Sequence, residues 1–337
     1  MKKKKTIKIN FKYFSEDFNP ENNFFINNLK KLYDVEINDN PDYLFYSIYP
    51  EIKNSRDLSK KGDFIKKLSP KGYILLRKFY SKIINFSLKD RLPLPEGDYV
   101  KILYSSDHLR PDMSKCDWAF SEYFEEEINS PKHMRLPIIV NDYQLKDSGI
   151  PPVNKKIDFS KIKREKNRFC NFIYSQDISS RNNFFKELSK YNKIDAPGRC
   201  MNNMPPISHN NPRESRLSKN WVVNKLDFLK KYKFTISFEN TNLSGYVTEK
   251  LTHPMLVNSI PIYFGHKDVG KEFNTKSFIN SNDFNNMRDF INYIVKVDND
   301  EVLYEKILRE PFYKDNQLPR DFDIKRVLKR FKEIFGD

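Results

Sequence analysis

The 337-residue sequence has few cysteines and no long apolar segment. Its cysteines, Cys116, Cys170 and Cys200, are odd in number and widely spaced, which argues against a disulfide framework or a zinc site and favours a reducing compartment. No run approaches the ~18 consecutive apolar residues of a transmembrane helix. The lysines at 2–5 lead into TIKINFKYF, which alternates as a strand does, so we expect no signal peptide and a cytoplasmic location.

Acidic residues are outnumbered, because 60 Lys and Arg stand against 45 Asp and Glu, and the formal charge is +15. A surface of this kind attracts anions. The run Lys2–Lys5 is either a solvated end or a peripheral contact with anionic lipid headgroups. The positive charge, together with 28 Phe and 19 Tyr, also suggests the hypothesis of a nucleic-acid-binding protein. Those aromatic residues mostly fall at core-facing spacings and no nucleic-acid motif is present, so we expect no nucleic-acid partner.

Short apolar, β-branched segments alternate with amphipathic ones in both halves of the chain. Strands are predicted at 6–13, 41–49, 99–104, 116–120, 168–174, 234–238 and 260–264, and helices at 21–33, 181–191, 284–297 and 323–335. In the helix at 284–297, Met287, Phe290, Ile291 and Ile294 are predicted to face inward. A polar, proline-containing stretch at 141–166 predicts the boundary between two domains. The pattern therefore predicts an α/β protein with two doubly wound domains, 1–150 and 151–337.

The segment 234–265, FTISFENTNLSGYVTEKLTHPMLVNSIPIYFG, carries the strongest signal. A buried strand is followed by a polar turn, a helix from about Val247 and a second strand closed by Gly265. Ligands of open parallel sheets bind where a strand's carboxyl end meets the next helix, and a helix N-terminus suits a phosphate. Lys250 adds a positive charge there. Pro254 removes the helical bond to the Lys250 carbonyl, so we expect a kink or a short first turn.

The ordered blocks SFEN, GYVTEKL and IPIYFG resemble the signature of family 10 glycosyltransferases, the α-1,3/1,4-fucosyltransferases, and bacterial members most closely. The resemblance extends through 168–206 and 276–284 and is weaker before Tyr99. It implies the GT-B architecture, with two Rossmann-like domains and the active site in the cleft between them. The first domain would bind the acceptor and the second the nucleotide-sugar donor. The last helix, about 323–335, is placed to pack back on the first domain.

The resemblance also assigns a donor site. It implies that Arg181 and Lys250 bind the diphosphate of GDP-fucose, and that Asn240, Tyr246 and Glu249 line the donor. Arg181 opens its helix, where the dipole disfavours a cation, so its alternative reading as an ordinary exposed charge is the less favoured one. Glu239 is either a structural acid or an acceptor of ribose hydrogen bonds. Two cations at the diphosphate imply transfer without a cofactor or an essential metal.

The catalytic base is predicted in the first half. The strand at 99–104 is followed by Ser105, Ser106, Asp107 and His108, which resembles the family's tyrosine, short turn and acid. Bacterial relatives carry glutamate where Asp107 stands, and Asp107 is one methylene shorter. Asp107 is the predicted base. His108, whose ordinary pKa suits the task, and Glu122 remain alternatives, as does a capping role for Asp107.

Asp298-Asn299-Asp300 matches the D-x-D pattern of a metal site in the other glycosyltransferase fold, but no hydrophobic strand precedes it, so we interpret it as a polar loop. The expected function is inverting transfer of fucose to N-acetylglucosamine or glucose in a surface polysaccharide, lipopolysaccharide or other glycan. One alternative keeps the fold and changes the donor to another GDP-linked deoxy sugar or a heptose. Another is a catalytically inactive protein that binds glycan or nucleic acid. The oligomeric state is not predicted.

Overall fold

The computed structural model describes residues 3–15, 18–48, 94–106, 109–141, 150–208 and 220–336. The chain forms two compact units, each containing a sheet of parallel strands. The first unit consists of 1–121, 129–134 and 328–337, and the second of 122–128 and 135–327. The α/β fold expected from the sequence is confirmed. The predicted domains, 1–150 and 151–337, stay predictions.

The first sheet has the strand order β2-β1-β3-β4-β5-β6. Its strands are β1 (Thr6–Lys12), β2 (Asp34–Ile37), β3 (Tyr43–Tyr46), β4 (Val100–Ser105), β5 (Trp118–Ser121) and β6 (His133–Arg135). In β1 the buried Ile7 and Ile9 alternate with the exposed Thr6 and Lys8, as expected for a strand with one covered face.

The second sheet has the order β11-β10-β9-β7-β8 and carries the segment with the strongest sequence signal. Its strands are β7 (Arg168–Asn171), β8 (Ile194–Asp195), β9 (Tyr232–Phe238), β10 (Ile260–Phe264) and β11 (Ile279–Asn280). All five residues of β10 pair in parallel with β9, from Ile260 opposite Phe234 to Phe264 opposite Phe238. The carboxyl ends of these two strands therefore lie side by side.

Nine α-helices lie in the described part of the chain. They are α1 (Phe24–Leu29), α2 (Glu125–Ile128), α3 (Phe159–Glu165), α4 (Ser179–Leu188), α5 (Trp221–Leu229), α6 (Glu249–Leu256), α7 (Met287–Asn299), α8 (Glu301–Arg309) and α9 (Ile324–Phe335). Short 3₁₀ helices occur at Ile138–Asn141, Lys267–Lys271, Thr275–Ser277, Ser281–Asp283, Lys314–Asn316 and Arg320–Phe322. None of these described helices has both the length and the apolar character needed to cross a bilayer.

The core of the first unit is rich in aromatic rings. Phe331, near the end of α9, lies with its ring centroid 6.5 Å from that of Phe25 and 6.1 Å from that of Phe120. The Lys5 ammonium donates to the Phe335 carbonyl at 2.7 Å and so satisfies a terminal carbonyl of α9. The end of α9 therefore belongs to the first unit, although the chain reaches it after completing the second sheet.

Several helix boundaries differ from the expectation. The helix predicted at 21–33 is shorter, Phe24–Leu29, because the Asn23 side chain accepts a hydrogen bond from the Ile26 amide and caps its start. In α7, Met287 is 41% exposed, which contradicts its predicted inward position, while Val297 is buried. The helix starts later than expected, and Met287 is its first residue, at the end of the buried stripe.

The sequence Asp298-Asn299-Asp300 is not a loop. Asp298 and Asn299 form the last turn of α7, and Asp300 caps α8 by accepting the Leu303 amide at 3.0 Å. The Asp298 carboxylate accepts a hydrogen bond from the ammonium of Lys233. The two carboxylates therefore stabilise neighbouring elements. Within the described ranges, no group of three His, Cys, Asp or Glu side chains is arranged to hold a metal ion.

Candidate active site

The connection from β9 to α6 is closed by Glu239, directly after the strand. The Glu239 amide donates to the Phe264 carbonyl at 2.7 Å, which holds it against the end of β10. Its carboxylate accepts from the amide of Thr248 at 2.8 Å and from the Thr248 hydroxyl. Thr248 in turn is the N-cap of α6. Of the two predicted roles for Glu239, these contacts favour the structural acid.

Lys250 lies in the first turn of α6, with its side chain only 17% exposed. Its ammonium is 3.3 Å from the Glu239 carboxylate and 3.2 Å from the Thr248 hydroxyl. Burial lowers the pKa of Lys250, but the carboxylates of Glu249 and Glu239 outweigh this effect, so its pKa is raised above the ordinary lysine value. The site therefore holds a permanent positive charge at the start of α6.

Glu249 is the first residue of α6, and its side chain is 38% exposed. Lys225 of α5 approaches its carboxylate to 3.7 Å. Partial burial raises the pKa of Glu249, but the charges of Lys250, Lys225 and His253 more than offset it, and the pKa falls below the ordinary glutamate value. Glu249 is therefore ionised at neutral pH and can accept hydrogen bonds. Sequence reasoning did not identify Lys225, because an α-helical lysine ordinarily faces solvent.

Arg181 lies in the first turn of α4 and is only 2% exposed. Its guanidinium carbon stands 3.8 Å from the centroid of the Tyr174 ring. One nitrogen, Nη1, donates to the side-chain oxygen of Asn240 at 3.5 Å. The other two, Nε and Nη2, are buried without a hydrogen-bond partner among the described residues. A buried cation with unused donors is costly unless an anion completes its environment, so this arrangement indicates an anion site.

Tyr174 connects Arg181 to the end of β9. Its hydroxyl oxygen lies 2.9 Å from the Ile236 carbonyl oxygen and 3.1 Å from that of Phe238, either of which can accept its one proton, and it accepts the Phe238 amide at 2.6 Å. Burial raises the pKa of Tyr174 to about 12, although the positive charges of Arg181 and Lys250 oppose this. The hydroxyl therefore keeps its proton at neutral pH. Both predicted diphosphate cations act on this one side chain and so lie at the same end of the sheet.

The turn between Asn240 and α6 presents Tyr246, which is 7% exposed. Before it, Gly245 has φ +75°, a conformation that residues with a Cβ rarely adopt. A Cβ at this position would also lie 2.2 Å from the Glu122 carbonyl oxygen. Only glycine fits there without a backbone shift, and the turn depends on it.

A pocket of about 330 Å³, open to solvent, lies beside this turn. It combines charged groups from α5 and α6 with apolar side chains from the sheet. Its lining consists of Ile173, Tyr174, Lys225, Leu229, Thr235, Ile236, Glu249, Lys250 and Pro254. Pro254 lies in the last turn of the eight-residue α6, which ends two residues later.

A buried arginine braces the same unit. Arg135 is fully buried and forms two hydrogen bonds with the Glu272 carboxylate. It also donates to the Gly245 carbonyl at 2.8 Å and to the Glu122 carbonyl at 2.9 Å. Asp321 completes its surroundings at 3.1 Å. Arg135 therefore joins segments that are distant in sequence to the turn before α6.

The sequence offers three candidates for the catalytic base. Asp107 and His108 lie outside the described residues, just beyond the end of β4. The third candidate, Glu122, is fully buried, and its carboxylate has no hydrogen-bond partner among the described residues. Burial raises its pKa well above the ordinary glutamate value, although the Arg135 charge opposes this. Burial therefore favours the protonated form of Glu122, which would have to release its proton before acting as a general base, and Glu122 stays an alternative to Asp107.

Comparisons with known proteins agree with this geometry. Residues 163–312 match the model described as the C-terminal domain of glycosyltransferase family 10 (fucosyltransferase). The chain is 30% identical over 213 residues to an α-(1,3)-fucosyltransferase of Helicobacter pylori, covering 58% of this chain and 43% of that protein. It is 33% identical over 237 residues to a GDP-fucose protein O-fucosyltransferase 3 of Xenopus laevis, covering 68% and 49%. The chain thus spans half or less of these curated relatives.

A solved structure gives the fold. The crystal structure of an α1,3-fucosyltransferase with GDP-fucose superposes with a TM-score of 0.67 at 20% identity, covering 100% of this chain and 93% of that one. The structure of the same kind of enzyme with GDP gives a TM-score of 0.65. The fold is accordingly GT-B, as the sequence resemblance implied.

Proposed function

Since residues 163–312 of this chain belong to glycosyltransferase family 10, we propose that the protein transfers fucose from GDP-fucose to a hydroxyl group of a glycan acceptor. The observation that carries this proposal is the Arg181 guanidinium, buried with two unpaired nitrogens at the end of the sheet that also holds Lys250. A diphosphate supplies the anionic oxygens that these donors lack. In this proposal Arg181 and Lys250 bind the diphosphate of the donor.

The two cations would act on the leaving group. As the bond between the sugar and the β-phosphate breaks, negative charge grows on the departing GDP, and positive groups fixed beside it stabilise the transition state more than the ground state. This chemistry needs no resident cofactor, so we propose that the transferase does not depend on a metal. The ionised Glu249 would accept hydrogen bonds from the sugar or ribose hydroxyls, with Asn240 and Tyr246 beside it.

We propose that transfer inverts the anomeric configuration. The acceptor oxygen attacks the anomeric carbon from the face opposite the diphosphate, and its proton passes to a base. Asp107 is the proposed base, two residues beyond the end of β4. His108 and Glu122 remain the alternatives, and burial favours the protonated form of Glu122.

The names of the relatives leave two classes of acceptor open. The Helicobacter protein is an α-(1,3)-fucosyltransferase and the Xenopus protein a protein O-fucosyltransferase. We propose a glycan acceptor that contains N-acetylglucosamine or glucose, in an oligosaccharide, a surface polysaccharide or lipopolysaccharide. A second candidate function keeps the mechanism and uses another GDP-linked deoxy sugar or a heptose, because few side chains contact a sugar in such a pocket.

A donor panel tests these proposals. GDP release would be measured with GDP-fucose, GDP-mannose and a GDP-heptose, each with and without N-acetyllactosamine or a folded protein acceptor. We expect acceptor-dependent release with GDP-fucose and an oligosaccharide. Release with a different donor favours the second candidate, and release with the protein acceptor alone assigns the other acceptor class. A protein that binds GDP-fucose and releases nothing with any acceptor contradicts transfer.

Peripheral membrane contact is proposed for the basic end of the first unit. Lys3, Lys4 and Lys5 are exposed, and Lys4 donates to the carbonyl of Lys30, another exposed lysine. Several positive charges near one another attract anionic headgroups. Co-sedimentation with vesicles of phosphatidylserine and phosphatidylcholine should be lost when Lys2–Lys5 are replaced by glutamine. A cytoplasmic location stays a prediction.

A further inference from the structure

We propose that Tyr174 is a positioning residue for the donor site, holding the Arg181 guanidinium in place by the face of its ring and fixing that ring to the end of β9 by its hydroxyl. The inference rests on the proposed function of Arg181 as a diphosphate ligand. Tyr174 lies outside the segment 234–265, and from the sequence it was expected only as the last residue of the strand at 168–174. Its role follows from contacts that only the folded chain brings together.

The contact between ring and cation is close. The guanidinium carbon lies 3.8 Å from the ring centroid, and Arg181 is 2% exposed. A desolvated cation over an aromatic face is stabilised electrostatically by the ring. The hydrogen bond described for the guanidinium goes to Asn240 and not to Tyr174. Nε and Nη2 therefore stay available for an anion while the group is held in position.

The ring itself cannot turn away freely. Tyr174 is buried, and its hydroxyl bonds with the backbone of Ile236 and Phe238 at the end of β9. On the other side, the Tyr174 carbonyl accepts the Cys200 amide at 2.9 Å. A Cβ on Gly198 would lie 2.3 Å from that carbonyl oxygen, so the backbone of Tyr174 is tightly enclosed. The strand end, the ring and the guanidinium thus form one rigid stack.

Two substitutions separate the ring from the hydroxyl. Tyr174→Phe keeps the aromatic face and leaves the Phe238 amide without its partner, so it should lower the melting temperature and change GDP affinity by less than about threefold. Tyr174→Leu removes the face and should weaken GDP binding, measured by calorimetry, by roughly tenfold to thirtyfold, the worth of a desolvated cation–π contact. The matched control is Tyr304→Leu, since Tyr304 is a buried tyrosine of the same unit beneath the Lys233 ammonium at 4.9 Å.

A purely structural role would weaken GDP binding with or without Arg181. The decisive measurement therefore repeats Tyr174→Leu in an Arg181→Met background. If Tyr174 acts through Arg181, the second change should leave the already weakened GDP affinity unaltered. Independent losses that add, or equal losses in Tyr304→Leu, would overturn the inference. If Tyr174→Leu does not fold, a ring-fluorinated phenylalanine at position 174 replaces it, because fluorine weakens the face at nearly constant shape, and affinity should fall below that of Tyr174→Phe.

These measurements distinguish a failure of the role inferred for Tyr174 from a failure of the proposed function. Wild-type protein that fails to bind GDP at all contradicts the proposed donor site. Wild-type protein that binds GDP while Tyr174→Leu or the fluorinated variant binds it equally well overturns only the role of Tyr174.

Discussion

At the scale of single residues, the two cations of the proposed donor site have opposite surroundings. Lys250 is already compensated, because its ammonium faces the Glu239 carboxylate at 3.3 Å. Arg181 has no carboxylate against it among its described hydrogen bonds and ion pairs, and it relies on an aromatic ring and one amide oxygen. An arriving diphosphate would therefore complete the environment of Arg181 and share that of Lys250.

Replacing Lys250 should mainly affect transfer. In Lys250→Met the charge at the start of α6 is lost, and kcat/KM for GDP-fucose should fall by roughly a hundredfold, the usual cost of one contact at a developing charge. Steady-state GDP release measures this. Lys186→Met, on the exposed face of α4, is the control for loss of one lysine and should behave as wild type. Unchanged kinetics in a folded Lys250→Met protein would remove Lys250 from the site.

The proposed base is tested by a nearly isosteric change. Asp107→Asn should bind GDP normally, because Asp107 contributes no diphosphate contact in the proposed mechanism. Its transfer rate should fall by about 10²–10⁴, the usual contribution of general base catalysis. Asp107→Glu tests whether the site requires the shorter side chain. If the site is built around aspartate, the transfer rate should also fall with the longer glutamate. If neither change affects the rate, Asp107 is a turn residue and His108 becomes the candidate.

At the scale of elements, the unit formed by β9, its turn and α6 is stabilised by polar contacts at the helix start. The Thr248 hydroxyl is hydrogen-bonded to Glu239, to the Lys250 amide and to the Lys250 ammonium. The N-cap of this helix therefore also contacts the cation that the proposed mechanism uses. We expect stability and donor binding to be coupled at this hydroxyl.

Thr248→Val keeps the shape and removes this hydroxyl. The free energy of unfolding should fall by about 1–2 kcal/mol through loss of the cap, and KM for GDP-fucose should rise, since Lys250 loses one of its two partners. Asn286→Ala is the matched control, because Asn286 caps α7 in the same unit by accepting the Asp289 amide at 2.9 Å. The control should lose similar stability and keep its KM. Equal KM values in both variants would show that the cap is structural only.

At the scale of the whole molecule, the second unit encloses a set of ionisable groups around Arg135. Glu122 and His266 are both buried, and no hydrogen-bond partner of their side chains lies among the described residues. Burial, helped by the Arg135 charge, lowers the pKa of His266 to about 4, while burial raises that of Glu122. Burial therefore favours the neutral form of both side chains. Stability should then fall as pH rises above the ordinary glutamate pKa, because of Glu122, and as pH falls below the ordinary histidine pKa, because of His266.

Glu122→Gln should make the protein more stable at neutral pH. Above the ordinary glutamate pKa the unfolded chain releases the proton that the folded chain retains, so the unfolding free energy of the wild type falls as pH rises toward the folded pKa, by at most about 1.4 kcal/mol per pH unit. In Glu122→Gln the neutral amide does not titrate, so this dependence of the unfolding free energy on pH disappears. Denaturant unfolding at pH 5 to 8 should show a stability advantage of the variant that grows with pH.

The exposed Glu165→Gln is the control for this measurement and should follow the wild-type pH dependence. A constant difference between Glu122→Gln and wild type across this pH range would mean that Glu122 is ionised in the folded protein. Its role as a base would then need to be considered again.

Metal independence is the prediction for the intact enzyme. Arg181 and Lys250 supply the positive charge that a divalent ion would otherwise place at the diphosphate. Transfer measured after treatment with EDTA should retain most of its rate. A complete loss that is restored by Mg²⁺ or Mn²⁺ would contradict the proposed mechanism.

Local pattern located three strands of the second sheet, β7, β9 and β10, but not the two-residue strands β8 and β11. Periodicity placed Ile260–Phe264 with both boundaries correct, because a short β-branched run buried on both faces has few other stable states. The helix start at Glu249 was expected about two residues earlier, at Val247, since Glu239 and Thr248 together define the cap and are nine residues apart. Met287 was wrongly predicted to face inward for a similar reason, because periodicity does not show where the elements that cover the helix end.

The sequence by itself determined the α/β class, the resemblance to glycosyltransferase family 10 and the grouping of Asn240, Tyr246, Glu249 and Lys250, because those residues follow one strand and lie within one turn and helix. Only the tertiary structure decided their states. It set Arg181 on the ring of Tyr174, brought Lys225 of another helix to Glu249 and buried Glu122, which raises the pKa of its carboxyl. Burial and charge depend on neighbours that are distant in sequence, and the physical chemistry of a site follows from those neighbours.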